Sequence, residues 1–425
     1  MKPKIYGNSS FVNYPYMRVA KNIFMPKRLK ERVFFANNLY TIGNNKEDIT
    51  GGGISFDENE AYLSAMGEFS ERYSTSFQLY KGLIKGSYNE LSKEYRCFNP
   101  QDIKYFSEKQ YESPNFKLNR LSNEREIHWS KCVDYFSEEE VLLPFFMVNV
   151  ENIKEDGMFH YNTTTGSASH STIEKSLISG FLECVERDAF SKFWYGQNFQ
   201  AYRKFSSTFI LEMFSDDEII DELFNNNKIK FSIYDISEHS HCPTFVVFIS
   251  FIINDRVYNS VGSASRFTQK EALIKATIEA YQGIEYTKLV CEEIKFPESI
   301  ENGTDFSFMN SFRKHYAFYN VFPELIKNSP LLLDAYNFEF NYSENWIDNY
   351  SHHIKKFNKE ELLKAGLNKV YYTNLTTVDV RQLGIEVTKI VTPQLHLLTG
   401  NHCYPYLGLF NDNKNLFTTY PHPFP

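Results

Sequence analysis

The chain has 425 residues, of which 42% are hydrophobic and 17% aromatic, so it can form a sizeable core and is not intrinsically disordered. The formal net charge of -8 argues against a dedicated nucleic-acid binder, which would carry a basic excess. No window approaches the ~20 apolar residues of a membrane helix, and Met1–Tyr16 lacks the apolar region of a secretory signal. The cysteines are scattered without a CxxC pair, which favours a reducing, cytoplasmic location.

Three segments share one plan, in which small residues precede an amphipathic helix. They run over Gly51–Arg72, Gly166–Arg187 and Gly262–Gly283. Each is predicted to begin with a turn, to place a Ser or Thr near the helix N-cap, and to continue as a helix. The three helices share small residues at fixed offsets, namely Ala61 and Ala65, Ser176 and Gly180, and Ala272 and Ala276. Because small residues let another backbone approach closely, we expect one supersecondary unit that is used three times around a common centre.

The rest of the chain alternates between strand-like and helical patterns. An acidic helical stretch is predicted over Leu211–Asn227, and a helical, loop-rich stretch over Ser299–Leu363. Strands are predicted over Phe231–Ser237, Pro243–Ile253, Arg256–Ala264, Asn368–Thr377 and Ile385–Pro393, with a turn at Asn254-Asp255. The sequence therefore predicts an α+β fold, with one domain over residues 50–425 preceded by an N-terminal extension over residues 1–49.

Two of the helices carry an ExxER pattern, and the third carries a related one. The patterned residues are Glu68, Glu71 and Arg72, then Glu183, Glu186 and Arg187, and in the third helix Glu279 and Gln282. A single Glu–Arg pair at i,i+4 is common on helix surfaces and carries little weight. Four carboxylates in a partly buried place, however, need cations to stay ionised. Mg²⁺ suits such oxygen ligands and usually retains substrate phosphates, which arginine also binds. The residues alone leave two alternatives open, a Mg-nucleotide site and a purely structural polar core.

The ExxER helices, the GSAS segments between them, the stretch LTTVDVRQLGIEVTKIVTP over Leu375–Pro393 and the closing PHPFP together resemble the YcaO family. The resemblance extends from about Thr50 to the last residue, and PHPFP matches the azoline-forming branch. It implies a YcaO-type fold, in which mixed or antiparallel sheets pack with helices and internal repeats surround an ATP and Mg²⁺ site.

The resemblance implies an ATP-dependent cyclodehydratase that phosphorylates backbone amide oxygens and converts Cys, Ser or Thr to thiazoline or oxazoline. It implies that Mg²⁺ is held by Glu68, Glu71, Glu183 and Glu186. It also implies that ATP is contacted by Arg72, Arg187, Ser167, Ser171, Glu279 and Gln282. The tail prolines Pro421, Pro423 and Pro425 would reach the active site, where the terminal carboxylate positions groups or accepts a proton.

The implied partners are a ribosomal precursor peptide and a separate ThiF-like protein that captures its leader, because only ~50 residues precede the first repeat. A flavin dehydrogenase and a homodimer are also compatible with the family, whereas nucleic acid and membrane are not expected.

Two positions depart from the family pattern. Lys175 stands where the family often has an acidic ATP ligand, and His170-Ser171 stands where a turn commonly ends in Gly-Asn. These departures favour the main alternative, a non-catalytic docking scaffold of the same modification complex. A thioamide-forming enzyme is the other alternative, and the PHPFP tail argues against it.

Overall fold

The computed structural model describes residues 23–40, 46–76, 82–150, 153–161, 163–196, 202–303, 305–328, 342–343, 345–348, 350–410 and 420–424. In chain order, the strands are β1 (Lys30–Tyr40), β2 (Lys46–Ser55), β3 (Ile84–Gly86), β4 (Ile127–Asp134), β5 (Glu140–Pro144), β6 (Ser167–His170), β7 (Arg203–Phe205), β8 (Ile229–Asp235), β9 (Thr244–Ile253), β10 (Arg256–Ser265), β11 (Tyr371–Asn374) and β12 (Glu386–Val391). The α-helices are α1 (Glu58–Ser76), α2 (Tyr88–Leu91), α3 (Glu108–Glu112), α4 (Phe145–Val148), α5 (Ile173–Tyr195), α6 (Ser207–Met213), α7 (Glu218–Phe224), α8 (Gln269–Glu293), α9 (Glu298–Glu301), α10 (Phe312–Val321), α11 (Lys359–Lys364) and α12 (Val378–Gln382).

The strands form three sheets, and each pair of named strands is antiparallel. β1 pairs with β2, and a four-stranded sheet has the order β10-β9-β8-β7. The largest sheet has the order β3-β4-β11-β12-β6, with β5 paired to β4. The α+β class predicted from the sequence is therefore confirmed.

The predicted hairpin around residues 243–264 is present as β9 and β10. Their register pairs Thr244 with Ser265 at one end and Ile253 with Arg256 at the other. Asn254 and Asp255 connect the strands with φ values of 49° and 62°. Positive φ at both central residues is the geometry of a two-residue turn that matches strand twist, and Asn and Asp tolerate it.

Each repeat is a strand followed by a helix, so one detail of the sequence prediction is wrong. The small residues of the repeats lie mainly in β2, β6 and β10 rather than in turns. A Cβ on Gly53 would lie 2.1 Å from the carbonyl oxygen of Ala61, and one on Gly262 would lie 2.2 Å from that of Ala276. The small residues therefore allow strand and helix backbones to touch, as the shared offsets predicted.

The helix starts follow the predicted capping chemistry in two of the three repeats. The side chain of Thr172 accepts the backbone N–H of Lys175, and that of Thr268 accepts the N–H of Glu271. In the first repeat Asp57 takes this place, since its Oδ1 accepts the N–H of Glu60 at 2.9 Å. All three residues, two Thr and one Asp, satisfy N–H groups that the first helical turn leaves unpaired.

The four-stranded sheet is covered on both faces, which fixes two of the repeat helices. One face packs Val247 and Ile249 against Ala276 and Tyr281 of α8. The other face packs Val246 and Phe248 against α5 and α10, in a cluster that includes the fully buried Trp194. β9 is therefore apolar on both sides, which explains its continuous run of hydrophobic residues.

The described part of the N-terminal extension packs onto the rest of the molecule. Phe24 and Leu29 are buried in the same cluster as Phe251 and α8, and β1 pairs along β2. The domain boundary at residues 49 and 50 stays a prediction. No helix within the described ranges is long and apolar enough to cross a membrane.

Candidate functional site

The first ExxER helix directs its leading glutamate back to its own strand. Glu68 Oε2 accepts the backbone N–H of Gly52 at 2.5 Å, and Arg72 Nη2 lies 2.5 Å from Glu68 Oε1. Arg72 Nη1 also donates to the carbonyl oxygen of Thr50 at 3.1 Å and to its Oγ1 at 3.0 Å. Strand, glutamate and arginine thus form one hydrogen-bonded unit.

The second ExxER helix repeats this arrangement one sheet away. Glu183 Oε2 accepts the backbone N–H of Gly166 at 3.0 Å. Arg187 lies between two glutamates, with Nη2 at 3.6 Å from Glu183 Oε1 and Nη1 at 2.8 Å from Glu186 Oε1. Gly166 has a φ of 86°, and a Cβ there would lie 2.3 Å from the carbonyl oxygen of Ile390, so the position requires glycine.

The third helix contributes its polar pair to the same region. Gln282 Nε2 lies 2.5 Å from the place where a Cβ on Gly52 would be, beside Glu68. Glu279 pairs with Lys275 at 3.1 Å, and its charge acts on the carboxyls of Glu183 and Glu186. α1, α5 and α8 therefore bring their predicted residues to a common centre.

Burial and mutual repulsion disfavour the ionised glutamates at this centre. Burial raises the pKa of Glu71 well above its usual value, and the charges of Glu183 and Glu68 raise it further. Burial likewise raises the pKa of Glu183, although Arg187 opposes the shift. The pKa of Glu186 rises to about 8, because burial and the charges of Glu279 and Glu183 outweigh Arg187.

Two further cations face the glutamates and were not identified from the sequence. Lys389 of β12 is buried and donates to the carbonyl oxygens of Thr163 at 3.1 Å and Thr165 at 2.6 Å. Its charge acts on Glu71 and Glu183. Arg266, at the β10–α8 junction, acts on Glu186. Position in the third repeat could have indicated Arg266, whereas Lys389 reaches the site only through the pairing of β12 with β6.

The two predicted serines have different surroundings. Ser167 is buried opposite Lys389 in the β6–β12 register, and its Oγ has no hydrogen-bond partner among the described residues. Ser171 is exposed before α5 and contacts its neighbour His170. It precedes Glu183 by about three turns of helix, roughly 18 Å at 1.5 Å per residue. Ser167 therefore follows directly on Gly166, which donates to Glu183, whereas Ser171 is separated from Glu183 along α5.

The described part of the C-terminal tail reaches Arg187 of the second ExxER helix. Pro421 and Pro423 are buried, and Tyr319 Oη donates to the carbonyl oxygen of Pro421 at 2.7 Å. The Phe424 ring lies under the guanidinium of Arg187, with 4.2 Å between Cζ and the ring centroid. Pro425 lies outside the described residues, so the role assigned to the terminal carboxylate stays a prediction.

The residues at the centre suit a hard divalent cation. Across the described ranges, no three His, Cys, Asp or Glu side chains are arranged as a ready metal site. Glu68, Glu183 and Glu186 instead direct oxygens to arginines or backbone N–H groups. Burial raises the pKa of Glu183 and of Glu186, and Mg²⁺ would favour their ionised forms, because it prefers carboxylate oxygens and a substrate phosphate. Glu68, Glu71, Glu183 and Glu186 are therefore the candidate residues for holding it.

Solved structures share this fold at low sequence identity. A heterocyclase in complex with substrate and cofactor superposes with a TM-score of 0.65 and 16% identity over 96% of this chain, which spans 54% of that heterocyclase. The E. coli microcin synthetase McbBCD complex with pro-MccB17 bound gives a TM-score of 0.65 and 17% identity over 98% of each chain. YcaO from Methanopyrus kandleri, bound with AMPPCP and Mg²⁺, gives a TM-score of 0.53 and 16% identity over 88% of this chain and 84% of that one. These likenesses support the fold alone.

A family model decides the assignment. No curated protein sequence matches the chain significantly. The model described as YcaO cyclodehydratase, ATP- and Mg²⁺-binding, matches residues 52–396 and so includes the three repeat helices and β12. The chain belongs to the YcaO cyclodehydratase family, whose cofactors are ATP and Mg²⁺.

Proposed function

We propose that this chain is the ATP-dependent subunit that forms azolines in a ribosomal precursor peptide. The observation that carries the proposal is the meeting of the second ExxER helix, α5, with the C-terminal tail at Arg187. Arg187 contacts Glu183 and Glu186 on one side and the ring of Phe424 on the other. The proposed phosphate and metal residues therefore lie beside the tail segment that ends in PHPFP.

The proposed reaction needs no nucleophile from the enzyme. A Cys, Ser or Thr side chain of the peptide attacks the preceding backbone carbonyl carbon, and the former amide oxygen takes the γ-phosphoryl group of ATP. The oxygen then leaves as phosphate while the ring C=N bond forms, so the peptide loses one water overall. The enzyme's contribution is positioning and charge stabilisation.

The residues of this chain have distinct roles in that scheme. Glu68, Glu71, Glu183 and Glu186 hold Mg²⁺, which neutralises phosphate charge when bound. Arg72 and Arg187 have guanidinium groups that can form bidentate hydrogen bonds with phosphate oxygens. Ser167, Glu279 and Gln282 contact the nucleotide, and Ser171, just before α5, contacts a part of it that is distant from Glu183. Pro421, Pro423 and Pro425 direct the terminal carboxylate towards the reacting amide.

The proposed assembly follows from the peptide substrate. We propose a separate ThiF-like protein that captures the leader, a flavin dehydrogenase where azolines are oxidised, and a homodimer as the enzyme's own state, all in the cytoplasm. The microcin synthetase that shares this fold is a complex of several proteins, which supports a multi-protein arrangement.

Intact mass of the peptide tests the proposal directly. A Cys- and Ser-rich precursor is incubated with this protein, its encoded partner, Mg²⁺ and ATP, beside a variant that lacks Pro421–Pro425. We expect a loss of about one water per modified residue, abolished in Glu183→Gln and in the truncated variant. Substitution of the exposed Lys364 by Gln is the matched control and should leave the mass change intact.

Two other outcomes would redirect the assignment. A gain of sulfur in place of oxygen would indicate thioamide formation. Normal partner binding without nucleotide turnover in any mixture would indicate a docking scaffold, for which Lys175 and His170-Ser171 are the supporting departures.

A further inference from the structure

The last described residues are held by side chains of α5 and α10 and by the side chain of His422, which bonds to the backbone at Thr399. Trp194 Nε1 of α5 donates to the carbonyl oxygen of Tyr420 at 3.1 Å, and Tyr319 Oη of α10 donates to that of Pro421. His315 Nδ1 lies 3.1 Å from the carbonyl oxygen of His422, and His422 Nε2 lies 3.0 Å from that of Thr399. The tail is therefore held in one path, residue by residue.

This path gives the Phe424 ring a defined place. The backbone N–H of Phe424 donates to His422 Nδ1 at 3.3 Å, which turns the residue inward. Its ring is 3% exposed and lies 4.8 Å from the ring of Phe190. One face of the ring is directed at the guanidinium of Arg187, at 4.2 Å. A cation over a desolvated aromatic face is stabilised more strongly than at an exposed site.

Two carboxyl groups of its own helix also contact Arg187. It has a weak contact with Glu183 at 3.6 Å and a close one with Glu186 at 2.8 Å, and both carboxyls are candidates for Mg²⁺. If the glutamates bind the metal ion, these contacts are shared or lost, whereas the contact with the uncharged ring persists. The ring is thus suited to hold the guanidinium when the carboxylates are engaged elsewhere.

We propose that Phe424 is a positioning residue that holds Arg187 for the nucleotide phosphates through its ring face, so the tail supports nucleotide binding independently of the terminal carboxylate. The proposal rests on the proposed function, because it takes Arg187 as a phosphate ligand. It assigns a role to Phe424, the residue between Pro423 and Pro425. It also separates two effects of tail removal, loss of the terminal carboxylate and loss of Arg187 positioning.

A double-mutant cycle on the full-length chain tests the proposal. The variants are Phe424→Leu, Phe424→Tyr, Arg187→Gln and the Leu–Gln double variant. Phe312→Leu is the control, because Phe312 packs on His422 of the same tail at 5.9 Å between ring centroids. Two quantities are measured, the equilibrium affinity for a non-hydrolysable ATP analogue with Mg²⁺ and the free energy of unfolding without nucleotide. The KM for ATP and kcat are measured beside them.

We expect Phe424→Leu to weaken analogue binding about threefold to tenfold, in line with one cation–π contact. Phe424→Tyr should restore affinity to within about twofold, because it retains the ring face. In the Arg187→Gln background, Phe424→Leu should change affinity less than about twofold. KM for ATP should rise more than kcat falls, and Phe312→Leu should leave both near wild type.

Other results overturn the proposal. Equal effects of Phe424→Leu in both backgrounds, or an equal loss in Phe312→Leu, would show that the ring acts through packing alone. Zero coupling between Arg187 and Phe424 in the free energy of unfolding would show that the ring and the guanidinium do not stabilise each other. Failure of the wild-type chain to bind the analogue would contradict the proposed function and the nucleotide role of Phe424, while the unfolding cycle would still report whether the contact exists.

Discussion

Glu186 is 7% exposed, and its carboxyl interacts with the charges of Glu183 and Glu279 as well as with Arg187. In a purely structural ion pair, the arginine would be expected to lower the pKa of its partner. Here the pKa rises to about 8 despite Arg187, because burial and like charges dominate. A buried carboxyl group with a raised pKa is typical of a functional site, where a bound cation supplies the missing positive charge.

Substitution of Glu186 by Gln should stabilise the metal-free protein increasingly as pH rises. The folded state keeps a proton that the unfolded chain, with a pKa near 4.5, has released. The stability that Glu186 contributes is therefore complete below about pH 4.5 and is lost as pH rises towards 8. Gln has no such dependence, so the difference in melting temperature, variant minus wild type, should grow between pH 5 and pH 8. Thermal unfolding in the presence of a chelator measures it.

Glu90 gives a control of opposite sign. It is a capping-box residue whose hydrogen bonds from Ser87 lower the pKa of its carboxyl. The stability that ionised Glu90 contributes is present above the pKa of the unfolded chain and is lost as pH falls. Glu90→Gln should therefore be less stable than wild type at high pH only. A pH-independent difference for Glu186→Gln would show that its carboxyl is not perturbed in the folded state.

At the scale of elements, the molecule uses one device three times. A strand rich in Gly, Ala and Ser lies directly against the helix that follows it. The first glutamate of each ExxER pattern, Glu68 or Glu183, accepts an N–H from the preceding strand segment. Close contact fixes the height of each helix over its strand. The distance between each helix and its strand in turn decides whether the glutamates of different repeats lie close together. The small residues therefore help to position the site.

Gly262→Ala should therefore impair nucleotide binding as well as stability. The added Cβ would lie 2.2 Å from the carbonyl oxygen of Ala276 and 2.3 Å from the N atom of Ala280, so α8 must move away from β10. Such overpacking costs about 1–3 kcal/mol, and the shift displaces Glu279 and Gln282. Chemical denaturation and titration with Mg²⁺ and an ATP analogue measure the two effects.

Gly366→Ala separates backbone strain from displacement. Gly366 has a φ of 77° with open space around it, so alanine there is strained by about 1–2 kcal/mol without moving a neighbouring helix. We expect it to lose stability while binding nucleotide normally. Equal loss of binding in the two variants would show that the close contact in the third repeat does not position the site.

At the scale of the whole molecule, local signals were readable from sequence and distant pairings were not. The β9–β10 hairpin follows from alternating patterns and its two-residue turn, and the three helices follow from period and caps. The largest sheet joins β3 to β4 and β6 to β12, segments separated by about 40 and 220 positions. No short-range pattern encodes these registers. Lys389 was missed for the same reason, since only the β6–β12 register places it beside Ser167 and the glutamates.

Because the proposed site unites helices that belong to separate packing units, Mg²⁺ and nucleotide should stabilise the molecule as a whole. α1 packs against β2 and the cluster around Val387, α5 and α8 lie on opposite faces of the four-stranded sheet, and all three supply charges to one centre. At 100 times Kd, a ligand that binds only the folded state adds about 2.7 kcal/mol. Hydrogen exchange should slow together in α1, α5 and α8 when an ATP analogue and Mg²⁺ are added, and the melting temperature should rise.

Glu71→Gln should abolish the effect of Mg²⁺ in all three helices, because its carboxyl links the first repeat to Glu183 of the second. Protection confined to a single helix would contradict a shared centre and would indicate that the repeats bind their ligands separately.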